Sequence, residues 1–305
     1  MNLPKVSIQI PCYKQEKYIA ETIQSALAQT YSNLEVVVLD DCSPDKTFEI
    51  AQSIKDPRLK VFRNDQNIGR VKNYRKLLIE LVSGEWVVNL DGDDQFSNNE
   101  FISFGMKQIL MNENIVFFHG NQKRINQIIK NCTTTRISNE SILVSGKDFL
   151  IQYPKIKHFN HLATIYNRAM ALKCNFYSQD SLNSDFNSVM KLCKYGNIIQ
   201  SKINVGNWNF NQQSASNKLI DLTESNKNLI AINDLIAHFE DILPKEKLDN
   251  LQKELYQLQE EYMANVKFLS LTRIQAFSYL LKNISFNFNY LKMILKFIKF
   301  KLLKQ

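Results

Sequence analysis

Leu34-Glu35-Val36-Val37-Val38-Leu39-Asp40-Asp41 decides the fold. The run is too continuously apolar and β-branched for a strand with one wet face. It predicts a strand covered on both sides, as in a parallel sheet. Parallel strands need crossover helices, and the flanking sequence supplies them. Upstream, Ile19–Gln29 carries helical spacing through Ile19, Ile23, Ala26 and Leu27, after a strand-like Val6–Ile10. Downstream come a helix over Thr47–Ile54, a strand over Leu59–Phe62, a helix over Arg70–Leu81 and a strand over Glu85–Leu90. This alternation with short connections predicts an α/β fold: a doubly wound, mostly parallel sheet with helices on both faces.

Farther along, the chain is polar from Asn121 to Ser145, and Asn131-Cys132-Thr133-Thr134-Thr135 reads as a loop. Periodicity returns at His161–Met170 and at Asp185–Tyr195, where Gly196 predicts a helix stop. After Ser214-Ala215-Ser216 the pattern is helical. Leu248, Leu251, Leu255, Leu258 and Tyr262 repeat at 3-4-3-4 spacing, which predicts a helix packed on the body, with a dimerisation seam as the alternative.

At 44% hydrophobic and 22% charged residues, the chain can build a large core and is not disordered as a whole. No run of eighteen apolar residues predicts a transmembrane helix. Met1–Lys5 leads straight into the first strand, without the pattern of a secretory leader. The five cysteines are odd in number and form no Cys-x-x-Cys pair, which fits a reducing compartment rather than a disulfide or zinc framework. The net charge of +8 is confined to the end of the chain: after Glu261 come eight basic residues and no acidic one. A neutral body argues against nucleic acid as a partner. On a helix from Tyr290, Lys292, Lys296 and Lys299 form a narrow stripe beside a broad apolar face. Residues 262–305 are therefore expected to bind an anionic membrane surface, with a helix docked on the body as the alternative.

In an open parallel sheet, ligands bind outside the carboxyl ends of the strands. The predicted strands here are followed by Pro11-Cys12-Tyr13-Lys14, by Asp40-Asp41-Cys42-Ser43-Pro44-Asp45, by Arg63 to Arg70, and by Asp91-Gly92-Asp93-Asp94. Three carboxylates within four residues repel one another unless a cation joins them. Mn²⁺ or Mg²⁺ takes such oxygen ligands and shares them with phosphates. A solvated acidic turn is the alternative. Neither Gly-x-Gly-x-x-Gly after the first strand nor a P-loop motif is present, so those two nucleotide-binding fingerprints are excluded.

Pro11 and Tyr13, Asp40-Asp41-x-Ser43-x-Asp45, Asn67-x-Gly69 and Asp91-Gly92-Asp93-Asp94, in this order and spacing, resemble the family 2 glycosyltransferases. The resemblance is close over residues 4–97 and thinner to about 217. It implies a GT-A fold with a catalytic domain over 1–217, comprising a nucleotide-sugar-binding half (1–97) and an acceptor-side half (98–217). Residues 218–305 then form a helical extension with the basic amphipathic tail. By the same resemblance Pro11 and Tyr13 lie against the nucleobase, and Asp41 accepts from the imide N–H of uracil. Asp93 and Asp94 hold the metal, and Asp91 turns toward the ribose or a metal-bound water. Arg70 reaches the diphosphate or makes a surface salt bridge, whereas Asp40 and Asp45 fit turn or helix-cap duty.

Inverting members of the family use a separate carboxylate as general base. The matching position is Asp185, preceded by Ser184 where the family carries Glu. Asp180 is a rival, and a helix N-cap is the structural alternative for Asp185. Trp208-Asn209-Phe210-Asn211 resembles the family's flexible loop after the catalytic residue. His119 closes the run Ile115–Phe118, at the acceptor site or as a satisfied structural residue. His158 and His161 draw no role from the sequence. The implied activity is metal-dependent, inverting transfer of a hexosyl or N-acetylhexosaminyl group from a nucleotide-sugar, foremost a UDP-sugar, to a lipid-linked or surface glycan acceptor. The implied place is cytoplasmic, peripheral at the inner face of the plasma membrane. The alternative is a non-catalytic nucleotide-sugar-binding or membrane-scaffold protein on the same fold.

Overall fold

The computed structural model describes residues 3–156, 159–207 and 222–270. The first half alternates as expected: β1 (Val6–Cys12), α1 (Ile19–Leu27), β2 (Leu34–Asp40), α2 (Thr47–Ser53), β3 (Leu59–Arg63), α3 (Arg70–Lys76, extended by a π-helical turn over Leu77–Leu81) and β4 (Trp86–Asn89). There follow β5 (Gln95–Phe96), α4 (Phe101–Leu110), β6 (Ile115–His119), α5 (Ile125–Asn131), β7 (Thr134–Arg136), β8 (Ser141–Ser145) and α6 (Gly146–Ile156). A 3₁₀ turn over His161–Ala163 leads into β9 (Thr164–Asn167), then α7 (Arg168–Lys173), α8 (Ser184–Lys191), β10 (Asn197–Ser201), β11 (Gly206–Asn207), α9 (Leu222–Ala237) and α10 (Lys245–Ser270).

Nine strands form one sheet in the order β3-β2-β1-β4-β9-β6-β10-β8-β7. The pairings β3–β2, β2–β1, β1–β4 and β6–β10 are parallel, and only β9 and β8 run against the rest. β2 is buried along its whole length. Val37 and Leu39 enter one core with α3, α6, α8, α9 and α10, while Val36 and Val38 enter the other with α1, α2 and α4. The unbroken apolar run thus reflects helices on both faces. Each such side chain contributes about 1.5–3 kcal/mol on full burial.

The order reverses at β1, with β2 on one side and β4 on the other, so the switch-point crevice opens between β1 and β4. Pro11 lies past the last β1–β4 pair, Gln9–Asn89. Having no N–H, it cannot extend that ladder, and the two strands part there.

The polar stretch 121–145 is not a loop throughout. Ile125 and Ile128, three residues apart, seat α5 on the core, and β8 takes its place through five pairs with β10. These long-range pairings override a weak local pattern. The periodicity over His161–Met170 also resolves differently, into the 3₁₀ turn, β9 and the start of α7. Leu248, Leu251 and Leu255 are buried in the same core as α6 and α8, so α10 is a helix packed on the body. Residues 208–221 and 271–305, with the Trp208 loop and most of the basic tail, lie outside the described residues, as does His158.

Candidate active site

A cleft of about 890 Å³ opens at the carboxyl rim. On one side it is lined by Pro11, Tyr13, Asp41, Arg70 and the acidic turn Asp91–Asp93. On the other side stand His161, Asp185 and Phe186, with Ile232, Leu255 and Leu258 reaching in from α9 and α10.

Asp41 is buried and already bonded. Its Oδ1 accepts from Asn64 Nδ2 and from the N–H of Ile68, and its Oδ2 from the N–H of Gly69, all at 2.9 Å. The carboxylate therefore fixes the turn that leads into α3. Gly69, at the N-terminus of that helix, has φ +89°, a conformation that side chains resist. A carboxylate has room for about four donors, so Asp41, which lines the cleft, keeps room for one more at Oδ2. Tyr13 is 40% exposed on the same wall. Asp40 is fully buried and ties up the N–H and hydroxyl of Ser43 and the guanidinium of Arg63. Asp45 accepts from the N–H of Thr47 at 3.1 Å, beside the first turn of α2. Both carboxylates have the turn and cap duty their spacing suggested.

The acidic turn is pressed against β1. A Cβ on Gly92 would lie 2.8 Å from Cys12 Cβ, so only glycine lets Asp91 and Asp93 flank that position. Asp94 is buried, and its N–H donates to the Asp91 carbonyl at 3.0 Å. Asp91 Oδ1 accepts from the Tyr74 hydroxyl, and the Tyr74 ring stacks on Tyr177 at 5.1 Å. The Tyr177 hydroxyl in turn accepts from Asn89 at 2.6 Å. A buried polar layer from the end of β4 therefore holds this carboxylate.

Asp185 stands in the first turn of α8, where an acid is favoured by the helix dipole. Asn183, not Asp185, occupies the N-cap position. His161 lies between the two acidic groups: Nδ1 is 2.8 Å from Asp185 Oδ2, and Nε2 is 3.2 Å from Asp91 Oδ2. Burial disfavours charge on the His161 ring. The attraction of the neighbouring Asp91 carboxylate and the hydrogen bond to Asp185 outweigh it and raise the pKa well above the ordinary value. Burial also opposes charge on Asp185, but the His161 hydrogen bond and charge, with help from Arg70, lower its pKa to about 2. Asp185 is thus ionised at neutral pH. The rival Asp180 is exposed, paired with Lys227 at 2.9 Å, and outside the cleft lining.

Arg70 lines the cleft and is anchored by backbone carbonyls. Its Nη2 donates to the carbonyls of Ser181 and Leu182, just before α8. Ser184 is buried, and two residues before it the Leu182 N–H donates to Glu224 Oε1 of α9 at 2.6 Å. His119 is a core residue: its Nδ1 pairs with Gln200 and its Nε2 accepts from the Asn160 N–H, next to His161. Asp91, Asp94 and His161 each bring one ligand atom to within 4.8 Å of the others. Two carboxylates are oxygen ligands of the kind Mn²⁺ or Mg²⁺ takes, and an imidazole can complete the set for a transition ion such as Mn²⁺, so the residues fit a divalent cation. A cation there would itself oppose protonation of the ring.

Residues 7–171 match the family described as Glycosyl transferase family 2. The chain belongs to that family. An uncharacterized glycosyltransferase of Haemophilus influenzae is 30% identical over 232 residues, which span 69% of this chain and 88% of that protein. The UDP-Glc:alpha-D-GlcNAc-diphosphoundecaprenol beta-1,3-glucosyltransferase WfaP of Escherichia coli is 37% identical over 89 residues, 29% of this chain and 35% of its own length. The crystal structure of S. aureus TarS 1–349 in complex with UDP-GlcNAc superposes with a TM-score of 0.65 at 19% identity, covering 90% of this chain and 79% of that one. The architecture is the GT-A fold that the strand–helix alternation and the family resemblance implied. As a family 2 glycosyltransferase the chain is an enzyme, and the alternative of a non-catalytic binding protein falls. The family match ends at residue 171, before Asp185.

The sequence alone did not point to His161, Tyr74, Tyr177 or Phe186. His161 precedes an antiparallel strand whose start lies at the carboxyl end of β4. No spacing rule places it there.

Proposed function

We propose that this glycosyltransferase transfers a sugar from a UDP-sugar to a hydroxyl of a lipid-linked or surface glycan, with inversion at the anomeric carbon. The observation that carries the reading is Asp185. It is an ionised carboxylate in the same cleft as Tyr13, Asp41 and the acidic turn, separated from that turn by one imidazole. Tyr13 and Pro11 would face the uracil ring, with Asp41 Oδ2 accepting its imide N–H. Arg70 would keep its carbonyl contacts and turn its remaining donors to the diphosphate. Asp93 and Asp94 of the acidic turn would hold Mn²⁺ or Mg²⁺, joined by Asp91, whose oxygen lies in one group with that of Asp94; the ion would offset charge on the departing nucleotide.

Asp185 acts on the acceptor. As the acceptor oxygen bonds to the anomeric carbon, the bond from that carbon to the phosphate oxygen breaks, and UDP leaves with the electron pair. The proton of the acceptor hydroxyl passes to Asp185. Asp185 would take it late, once the forming bond has made the hydroxyl acidic. Tyr153 and Phe159 pack on Phe186 at 4.7 and 5.8 Å, giving the acceptor side an aromatic wall.

The names of relatives such as WfaP support the lipid-linked class of acceptor. Such an acceptor and the basic segment 262–305 fit a peripheral place on the cytoplasmic side of the membrane. Among the described residues no helix is long and apolar enough to cross one.

The test is release of nucleotide from a panel of nucleotide sugars by purified protein with Mn²⁺, with and without acceptor. Asp185→Asn should lower turnover by about 10²–10⁴ while UDP affinity stays near that of the wild type. Wild-type turnover in that variant would move the base elsewhere.

A further inference from the structure

His161 has two ends with different neighbours. Nδ1 is within hydrogen-bond distance of Asp185. Nε2 is buried and lies 3.2 Å from Asp91 Oδ2, but without the alignment of a hydrogen bond. A neutral imidazole with its proton on Nδ1 presents a lone pair at Nε2. That lone pair suits a cation and not a carboxylate. Asp91, Asp94 and the ring each offer a ligand atom within 4.8 Å of the others, and Nε2 is the ring nitrogen on the Asp91 side.

The ring is also well fixed. It opens the 3₁₀ turn before β9, where Asn160 accepts from the Leu162 N–H at 3.1 Å, and the Asn160 N–H is held by His119. His119 itself stacks on Phe159. The imidazole therefore spans donor and acceptor halves on a rigid support.

We propose that His161 joins the two halves of the reaction: Nε2 ligates the divalent cation together with Asp91 and Asp94, and Nδ1–H orients Asp185. The inference rests on the reading of Asp185 as base and on metal dependence, and adds a ligand and a positioning role that the acidic turn alone does not provide. A metal-bound histidine commonly donates its other N–H to a carboxylate, and ligation fixes which nitrogen carries the proton. Here that carboxylate is the base. The imidazole would then hold Asp185 in one orientation from the donor side.

The experiment is electron paramagnetic resonance of Mn²⁺ on the full chain with UDP. In the wild type, electron spin-echo modulation should show coupling from a directly bound imidazole nitrogen. Its absence while Mn²⁺ and UDP are bound overturns the inference and leaves the metal reading standing. No Mn²⁺ bound with UDP overturns both.

His161→Ala should weaken Mn²⁺ binding by at least about 10-fold, since even the groups that only orient a metal ligand are worth about 10–100-fold. His161→Gln places an amide oxygen near the Nε2 position and should recover part of that affinity. His161→Asn places its amide nitrogen near Nδ1 and should recover part of the turnover but not the Mn²⁺ affinity. Equal Mn²⁺ affinity in all four proteins excludes the ligand role. Asp185→Asn should keep the nitrogen coupling, which separates loss of the base from loss of the ligand.

Discussion

Arg70 and Leu182 are 112 residues apart in the chain, yet the Arg70 guanidinium donates to the Leu182 carbonyl at 3.1 Å and to that of Ser181 at 2.9 Å. The first residue of α3, on the donor side, thereby holds the entry to the helix that carries Asp185. Arg70→Lys keeps the charge and loses the planar fork. Hydrogen bonds to charged groups are worth about 1.5–3 kcal/mol, so turnover should fall about 10–100-fold, and UDP affinity should fall with it. Calorimetry and nucleotide release measure the two effects; unchanged UDP affinity would confine Arg70 to the positioning of α8.

UDP affinity should depend on a divalent ion and on the acidic turn. Calorimetric titration of UDP with Mn²⁺ should give tighter binding than with EDTA, and Asp93→Asn or Asp94→Asn should narrow the difference. Identical isotherms with and without the chelator would remove the metal from the reaction.

Glu35 governs acid stability. It is 3% exposed at the end of the sheet away from the cleft, within reach of Lys5, Lys60, Ser7 and Ser83. Burial alone would raise its pKa. Hydrogen bonds from Lys5, Ser7, the Ser83 backbone and Lys60 outweigh that and hold it well below the usual range. A lowered carboxylate pKa stabilises the fold above the unfolded value of about 4.3, and that contribution is lost as pH falls toward the folded value. Glu35→Gln should be less stable at pH 7, by about 1–3 kcal/mol, because charge-assisted hydrogen bonds are lost but the lysines it leaves are solvated. Its denaturation midpoint should also vary less below pH 4 than that of the wild type. Parallel pH curves for the two proteins would contradict this account.

The basic segment makes a separable prediction. Truncation near Tyr279 should abolish sedimentation with phosphatidylglycerol vesicles while nucleotide release persists, since each lysine near an anionic surface is worth about 1 kcal/mol. The full chain should release its vesicles as salt rises. A full chain that ignores these vesicles at low salt would rule the tail out as an anchor.

The donor half was legible because each of its elements carries its own periodicity and each functional residue follows a strand directly. Pro11, Tyr13, Asp41 and Asp91 all lie where the chain leaves the sheet at the switch point. Asp185 was found by resemblance, and its surroundings were not. Its partner His161 comes from a reversed strand, and Arg70 reaches it through two backbone carbonyls. Contacts of that kind depend on tertiary closure, and neither hydrophobic period nor residue spacing encodes them. The strand β8 escaped for the same reason, since its identity comes from pairing with β10.

Ile232, Leu255 and Leu258 enter the cleft from helices that follow the whole sheet in the chain. On the proposed function, part of the surface that meets the incoming glycan is therefore encoded downstream of the stretch that holds the nucleotide. Exchange of that downstream stretch would alter the acceptor side while the donor side's residues stay in place.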